Sequence, residues 1–85
     1  MKKYLAVFRS RTDVLFFIER LREKGVFAKT VPTPKELKLG CGISAEFSRN
    51  SLALAKKLIN TGNFPSFYSF VSVENRGGRT ITVKN

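Results

Sequence analysis

The chain has 85 residues, 42% of them hydrophobic, and this length suits a single domain (residues 1–85) with one core. It contains no histidine and one cysteine, so a structural zinc site within the chain, an internal disulfide and catalytic arrangements that need a histidine base are excluded. The formal net charge of +10 is spread along the sequence, and it suits either a polyanion site or an ordinary basic surface.

No apolar run approaches the ~20 residues that a helix needs to cross a bilayer. The N-terminal run of residues 4–8 is also too short for the hydrophobic region of a signal peptide. A single cysteine suits a reducing compartment, because it cannot form an internal disulfide. We therefore expect a cytoplasmic protein without membrane association.

The first predicted elements are a strand and a helix. Residues 4–8 are rich in residues that favour strands. Ser10 is placed to cap a helix, Asp13 lies in its first turn, and Gly25 is a typical end signal. The apolar face of this helix repeats at helical spacing, with Val14, Phe17, Ile18 and Leu21.

Two further strands flank a loop. Residues 26–31 favour a strand that stops at Pro32 and Pro34, since proline cannot extend a hydrogen-bonded ladder. Residues 33–40 are predicted to form a loop that contains at most one helical turn. Alternation of apolar and polar side chains over residues 43–47 is typical of a half-buried strand.

The remaining sequence predicts a second helix and a C-terminal hairpin. Ser48 or Asn50 is placed to cap the helix. Its inner face carries Leu52, Ala55, Leu58 and Ile59. Residues 67–73 and 80–83 favour strands, and the two glycines within residues 76–79 are typical of a hairpin turn between them.

The predicted order is β-α-β-β-α-β followed by one more strand. This is the order of a ferredoxin-like α+β sandwich, in which one mostly antiparallel sheet carries two helices on one face. The extra C-terminal strand would extend the sheet as a hairpin. The fold class alone does not specify a function.

The lone cysteine, Cys41, is the best candidate for a chemical site. It lies between Gly40 and Gly42 where the loop enters the third strand, and glycine flanks permit close approach to the sulfur. Lys35 and Lys38 precede it, and nearby cations favour the thiolate over the thiol. Such a thiolate can hold a sulfur atom as a persulfide or form a mixed disulfide. The alternative is a small buried hydrophobe that only packs.

The segment around Cys41 resembles that of a family of small bacterial selenium/sulfur carrier-like proteins. The resemblance covers roughly residues 3–60. The matching residues of the loop are Pro32, Thr33, Pro34, Lys35, Glu36, Leu37, Cys41, Gly42 and Ile43. This chain differs at Lys38-Leu39-Gly40, where members of the family tend to place serines.

The resemblance implies a carrier or accessory protein more than an enzyme. We expect no cofactor, and the lack of histidine with one cysteine argues against a metal site. Cys41 would be the carrier residue for sulfur or selenium, and Gly42 would shape the backbone around it. Such a role implies a protein donor, for example a cysteine desulfurase, and an acceptor enzyme.

An alternative function uses aromatic residues of the sheet. The face of the sheet without helices would be open, and an aromatic patch there would suit base stacking by a basic nucleic-acid-binding module. The residues predicted for this patch are Tyr4, Phe8, Tyr68 and Phe70. The third strand, residues 43–47, lacks the basic and aromatic signature of an RNA-recognition motif and carries an acid. A homodimer formed sheet to sheet is the other explanation for these aromatics.

Overall fold

The computed structural model describes residues 2–38, 42–76 and 79–84 of the chain. The helices within these residues are α1 (Arg11–Glu23) and α2 (Leu52–Thr61). The strands are β1 (Lys2–Phe8), β2 (Ala28–Pro32), β3 (Ile43–Phe47), β4 (Phe67–Arg76) and β5 (Arg79–Lys84). A short 3-10 turn, Lys35–Leu37, follows β2, and another, Arg49–Ser51, leads into α2.

The strands form one sheet in the order β2-β3-β1-β4-β5, and every neighbouring pair is antiparallel. Helix α1 connects β1 to β2 and helix α2 connects β3 to β4, so each connection skips one strand of the sheet. This arrangement confirms the predicted ferredoxin-like α+β sandwich. Strand β5 pairs with β4 as the extra C-terminal hairpin.

The main core lies between the sheet and the helices. Because side chains alternate along a strand, Tyr4, Ala6 and Phe8 of β1 share the face that packs on the helices. The four apolar positions predicted for α1 are all buried, namely Val14, Phe17, Ile18 and Leu21. The ring centroid of Phe8 lies 5.3 Å from that of Phe17 and 5.5 Å from that of Phe67.

A bulge interrupts the pairing of β1 with β4. Phe8 pairs with Phe67, but Val7 pairs with Ser69, so Tyr68 is an extra residue in β4. The regular alternation of faces along β4 is therefore broken at Tyr68.

The predicted aromatic patch on the open face of the sheet is wrong for three of its four residues. Tyr4, Phe8 and Phe70 are buried in the main core, because their positions in β1 and β4 face the helices. Tyr68 alone packs on the other face, as a consequence of the bulge. There the guanidinium carbon of Arg9 lies 5.5 Å from its ring centroid.

The face of the sheet away from the helices, here called the second face, has a small core of its own. Leu5, Val7 and Val71 are buried there. Leu37 of the 3-10 turn after β2 packs against this cluster, so the chain folds back over the second face. The other half-buried residues around it are Val31, Tyr68 and Val73.

The first turn of α1 forms hydrogen bonds with a serine just before β4, and its predicted cap, Ser10, makes no side-chain capping bond. The side chain of Ser10 makes no capping hydrogen bond. Instead, Ser66 donates from its hydroxyl and its backbone N–H to Asp13 Oδ2, at 2.6 and 3.1 Å. The same hydroxyl accepts from the backbone N–H of Ser10 at 3.1 Å. These bonds tie the N-terminus of α1 to the segment that precedes β4.

The outer side of α1 and its exit expose large apolar side chains. Leu15 is 50% exposed, Phe16 45% and Phe27 79%. The ring of Phe16 is partly covered, because the guanidinium carbon of Arg20 lies 5.1 Å from its centroid.

Candidate functional site

The segment that joins β2 to β3, residues 33–42, carries the sequence-predicted site and is called the 33–42 loop below. Its two ends are joined by a hydrogen bond of 3.0 Å from the Thr33 N–H to the Gly42 carbonyl. The hydroxyls of Thr33 and Ser44 lie 2.7 Å apart and form a second hydrogen bond, between the first residue of the loop and β3. The loop therefore starts from a closed base that continues the β2–β3 ladder.

The two prolines of the loop motif have different positions. Pro32 was predicted to lie in the loop, but it is the last residue of β2 and pairs with Ile43. Successive N–H groups point to opposite sides of a strand, and the N–H of Thr33 points toward β3. The nitrogen of residue 32 therefore points away from β3. Proline is tolerated at this position because the β2–β3 ladder requires no N–H there. Pro34 lies in the loop as predicted and precedes the 3-10 turn.

The 3-10 turn exposes the two lysines predicted to stabilise a thiolate. Lys35 and Lys38 are both exposed, while Leu37 between them is half-buried against the second face. The Lys38 N–H donates to the Lys35 carbonyl at 3.0 Å, which closes the turn. Lys38 then adopts a left-handed conformation with φ of 52°. Leu37 thus anchors the turn to the second face, while the charged side chains of Lys35 and Lys38 are exposed to solvent.

Cys41, the predicted carrier residue, lies outside the described residues, as do Leu39 and Gly40. Gly42 is described and exposed. Apart from Gly42 itself and its chain neighbours, no described atom lies within 4 Å of the position that a Cβ would occupy there.

A groove of about 400 Å³ lies on the second face, beside the start of the 33–42 loop. We call it the second-face groove. Its apolar lining comes from Leu5, Val31, Pro32, Pro34 and Val73. The loop motif and the sheet thus contribute to one continuous surface.

Lysines surround the single described carboxylate in the lining of this groove. Glu46 Oε1 lies 3.8 Å from Lys3 Nζ and 3.9 Å from Lys29 Nζ. Only 17% of the Glu46 side chain is exposed, against about half of each lysine side chain. Lys35 adds a further ammonium to the lining. Among the described side chains at the groove, three ammonium groups therefore stand against one carboxylate.

Sequence reasoning missed the second-face groove and the anchoring role of Leu37. The available signal was the pair Leu5 and Val7, which had to pack against something on the side of β1 that turns away from the helices. Leu37, in the loop that follows β2, covers part of that face.

The described ranges hold neither a membrane-spanning helix nor a cluster of metal ligands. None of the helices found there is long and apolar enough to cross a membrane. No group of three or more potential metal-ligating side chains occurs among the same residues.

The chain was also compared with known proteins. The sequence model of a family described as "Putative Se/S carrier protein-like" matches residues 3–68, which is more than half of the chain. The matched range includes the 33–42 loop, with Cys41. No curated protein and no solved structure matches significantly. The extent of the family match shows that the chain belongs to the Se/S carrier protein-like family.

Proposed function

We propose that this protein carries sulfur or selenium on Cys41, as a persulfide or its selenium counterpart. The observation that carries the proposal is the family match over residues 3–68, which includes the motif from Pro32 to Ile43. Cys41 is the only cysteine, so any sulfur bound through a thiol must be bound there.

The transfer that we propose needs no oxidant. The Cys41 thiolate attacks the outer sulfur of a donor persulfide, R–S–SH, so that a new S–S bond forms and R–S⁻ leaves. A nucleophile of the acceptor then attacks the outer sulfur of the Cys41 persulfide. The S–S bond breaks, and the Cys41 thiolate is regenerated. A selenium atom bound to the Cys41 sulfur would be delivered by the same displacement.

The geometry of the loop supports this use. The bond between Thr33 and Gly42 closes the base of the loop, and Leu37 fixes it to the second face, so the loop has a defined frame. Lys35 and Lys38 are exposed on the same loop, and cations near a cysteine lower the pKa of its thiol. Gly42 is exposed, and no described residue beyond its chain neighbours crowds the position of its missing side chain.

The partners that we propose are a cysteine desulfurase or another protein persulfide as donor, and an enzyme that consumes the delivered atom. We also propose a cytoplasmic location, because a reducing compartment keeps a lone thiol available.

Nucleic-acid binding has no comparable support. The predicted stacking surface is lost, because Tyr4, Phe8 and Phe70 are buried between the sheet and the helices.

Sulfur loading tests the proposal directly. The protein is incubated with a purified cysteine desulfurase and cysteine, and its intact mass is measured under non-reducing conditions. We expect the mass of one added sulfur atom, which dithiothreitol removes, since a persulfide is reducible.

The matched control is Cys41→Ser, which retains the fold-determining residues and lacks the thiol. A second control omits cysteine. The proposal fails if the wild-type chain gains no sulfur, or if the Cys41→Ser variant gains as much.

A further inference from the structure

We infer that the second-face groove binds an extended acidic peptide segment that carries an apolar side chain, presented by a partner protein. The groove lies next to the 33–42 loop and shares Thr33, Pro34 and Lys35 with it. A segment bound there would bring its protein against the loop.

The lining of the groove favours a peptide over a nucleic acid. Its floor consists of Leu5, Val31 and Val73, with Pro32 and Pro34 along one side. Its volume of about 400 Å³ falls in the ~300–1,000 Å³ range of ligand-binding clefts. None of these side chains is aromatic, so the floor offers no ring on which a base could stack. Aliphatic side chains of a peptide fit such a surface.

The charge around the groove favours an acidic occupant. Lys3 and Lys29 lie 3.8 and 3.9 Å from Glu46, the one described carboxylate of the lining, and Lys35 adds a third ammonium group. Carboxylates of a bound segment would meet this excess of described ammonium groups. A second copy of this chain is disfavoured, since it would bring equal positive surfaces together and each copy has a net charge of +10.

The β2 edge of the sheet does not offer an equivalent site on the side of the 33–42 loop. A strand added to β2 would lack one donor, because Pro32 has no N–H. The Ala28 carbonyl already accepts a hydrogen bond of 3.1 Å from Arg22 Nη2. These features protect the β2 edge from strand addition.

The use of the groove in sulfur transfer rests on the proposed function. If Cys41 carries sulfur, the protein that docks in the groove is the sulfur donor or the sulfur acceptor. Binding of the peptide itself does not require the thiol of Cys41. The Cys41→Ser variant is therefore expected to bind with unchanged affinity, which separates a failure of docking from a failure of the carrier chemistry.

The experiment is a selection from a randomised linear-peptide library against the immobilised wild-type protein, followed by affinity measurements with the enriched synthetic peptides. We expect enriched peptides with carboxylates around an aliphatic side chain. Lys35→Glu should weaken their binding by about fivefold or more, and Val31→Glu should abolish it. Lys57→Glu makes the same charge change on α2, across the sheet, and should leave the affinity nearly unchanged.

Thermal unfolding first establishes that each variant is folded; Lys35 and Lys57 are exposed, so both variants are expected to fold. The inference is overturned if no acidic–aliphatic peptide is enriched, or if Lys35→Glu and Lys57→Glu weaken binding equally. It is also overturned if Lys35 and Val31 control binding of a single-stranded oligonucleotide, or dimerisation of the chain, in place of peptide binding.

Discussion

At the scale of single residues, Lys38 has an unusual backbone conformation close to the candidate site. It is the one non-glycine residue in the described part of the chain with a positive φ, 52°. The left-handed conformation costs roughly 1–2 kcal/mol for a residue with a Cβ. Lys38 occupies it where the chain leaves the 3-10 turn and heads toward Cys41.

Two substitutions of Lys38 separate its charge from its backbone conformation. Both Lys38→Gly and Lys38→Met remove the ammonium, but only glycine relieves the unfavourable φ. After allowance for the greater freedom of glycine in the unfolded chain, we expect Lys38→Gly to be more stable than Lys38→Met by about 0.5–1 kcal/mol. Urea denaturation measures the difference. Equal stabilities of the two variants would contradict the conformation described for Lys38.

The chemical candidates at this scale were readable from the sequence, whereas their conformations were not. A cysteine between two glycines and two nearby lysines are visible as letters. A left-handed lysine carries no signal in its own identity, because the conformation is imposed by the turn that precedes it. The position of Pro32 at the end of β2 was likewise hidden, since it depends on which way the N–H of Thr33 points.

At the scale of elements, the start of α1 depends on a residue far away in sequence. Ser66 bonds to Asp13 through both its hydroxyl and its N–H, and its hydroxyl accepts from Ser10. Its own carbonyl accepts from the Arg9 N–H at 2.8 Å. One serine thereby fixes the turn between β1 and α1 against the start of β4.

Removal of the Ser66 hydroxyl should loosen this junction. Ser66→Ala deletes the hydroxyl, which is one of two donors to the Asp13 carboxylate and the acceptor of the Ser10 N–H, and retains the backbone N–H donor. We expect a loss of about 1–3 kcal/mol in the free energy of unfolding, measured in urea, since hydrogen bonds to charged groups are the stronger ones.

The matched control is Ser48→Ala, because Ser48 is exposed and its side chain makes no capping bond to the turn that follows. Its effect should stay within about 0.5 kcal/mol. If Ser66→Ala costs no more than Ser48→Ala, the junction does not contribute to stability as described.

Local patterns predicted most elements but not their irregularities. The spacing of Val14, Phe17, Ile18 and Leu21 identified the buried face of α1 correctly. The bulge at Tyr68 was not predicted, because nothing in an aromatic strand marks one residue as extra. The bulge depends on the pairing of β4 with β1, which local sequence does not encode, and it places Tyr68 on the opposite face from Phe70.

At the scale of the whole molecule, one sheet separates two cores of unequal size. The larger core, toward the helices, contains nearly all the buried aromatics. The smaller one holds Leu5, Val7 and Val71 and is partly covered by Leu37. The fold class could be predicted because the order of elements restricts the topology. The second core could not, because it requires the 33–42 loop to fold back over the sheet.

The same division applies to the candidate site. The sequence and its resemblance to carrier-like proteins pointed to the loop and its cysteine as the candidate site. The family match covers this segment, and the role of Cys41 stays a prediction. The second-face groove became visible only once residues from four strands and the loop were brought together.

The pH dependence of Cys41 alkylation tests the central claim most directly. Iodoacetamide labelling rates are measured in the folded protein and in denaturant, and again in a Lys35→Met/Lys38→Met variant with Lys56→Met/Lys57→Met as control. We predict fast labelling of the folded chain, with the midpoint of the pH dependence below the ~8.5 of a free thiol. The reason is that Lys35 and Lys38 precede Cys41 in the same loop, and cations near a cysteine favour the thiolate. The midpoint should rise in the loop variant and stay unchanged in the control. Labelling that becomes fast only after unfolding would contradict the account and make Cys41 a packing residue.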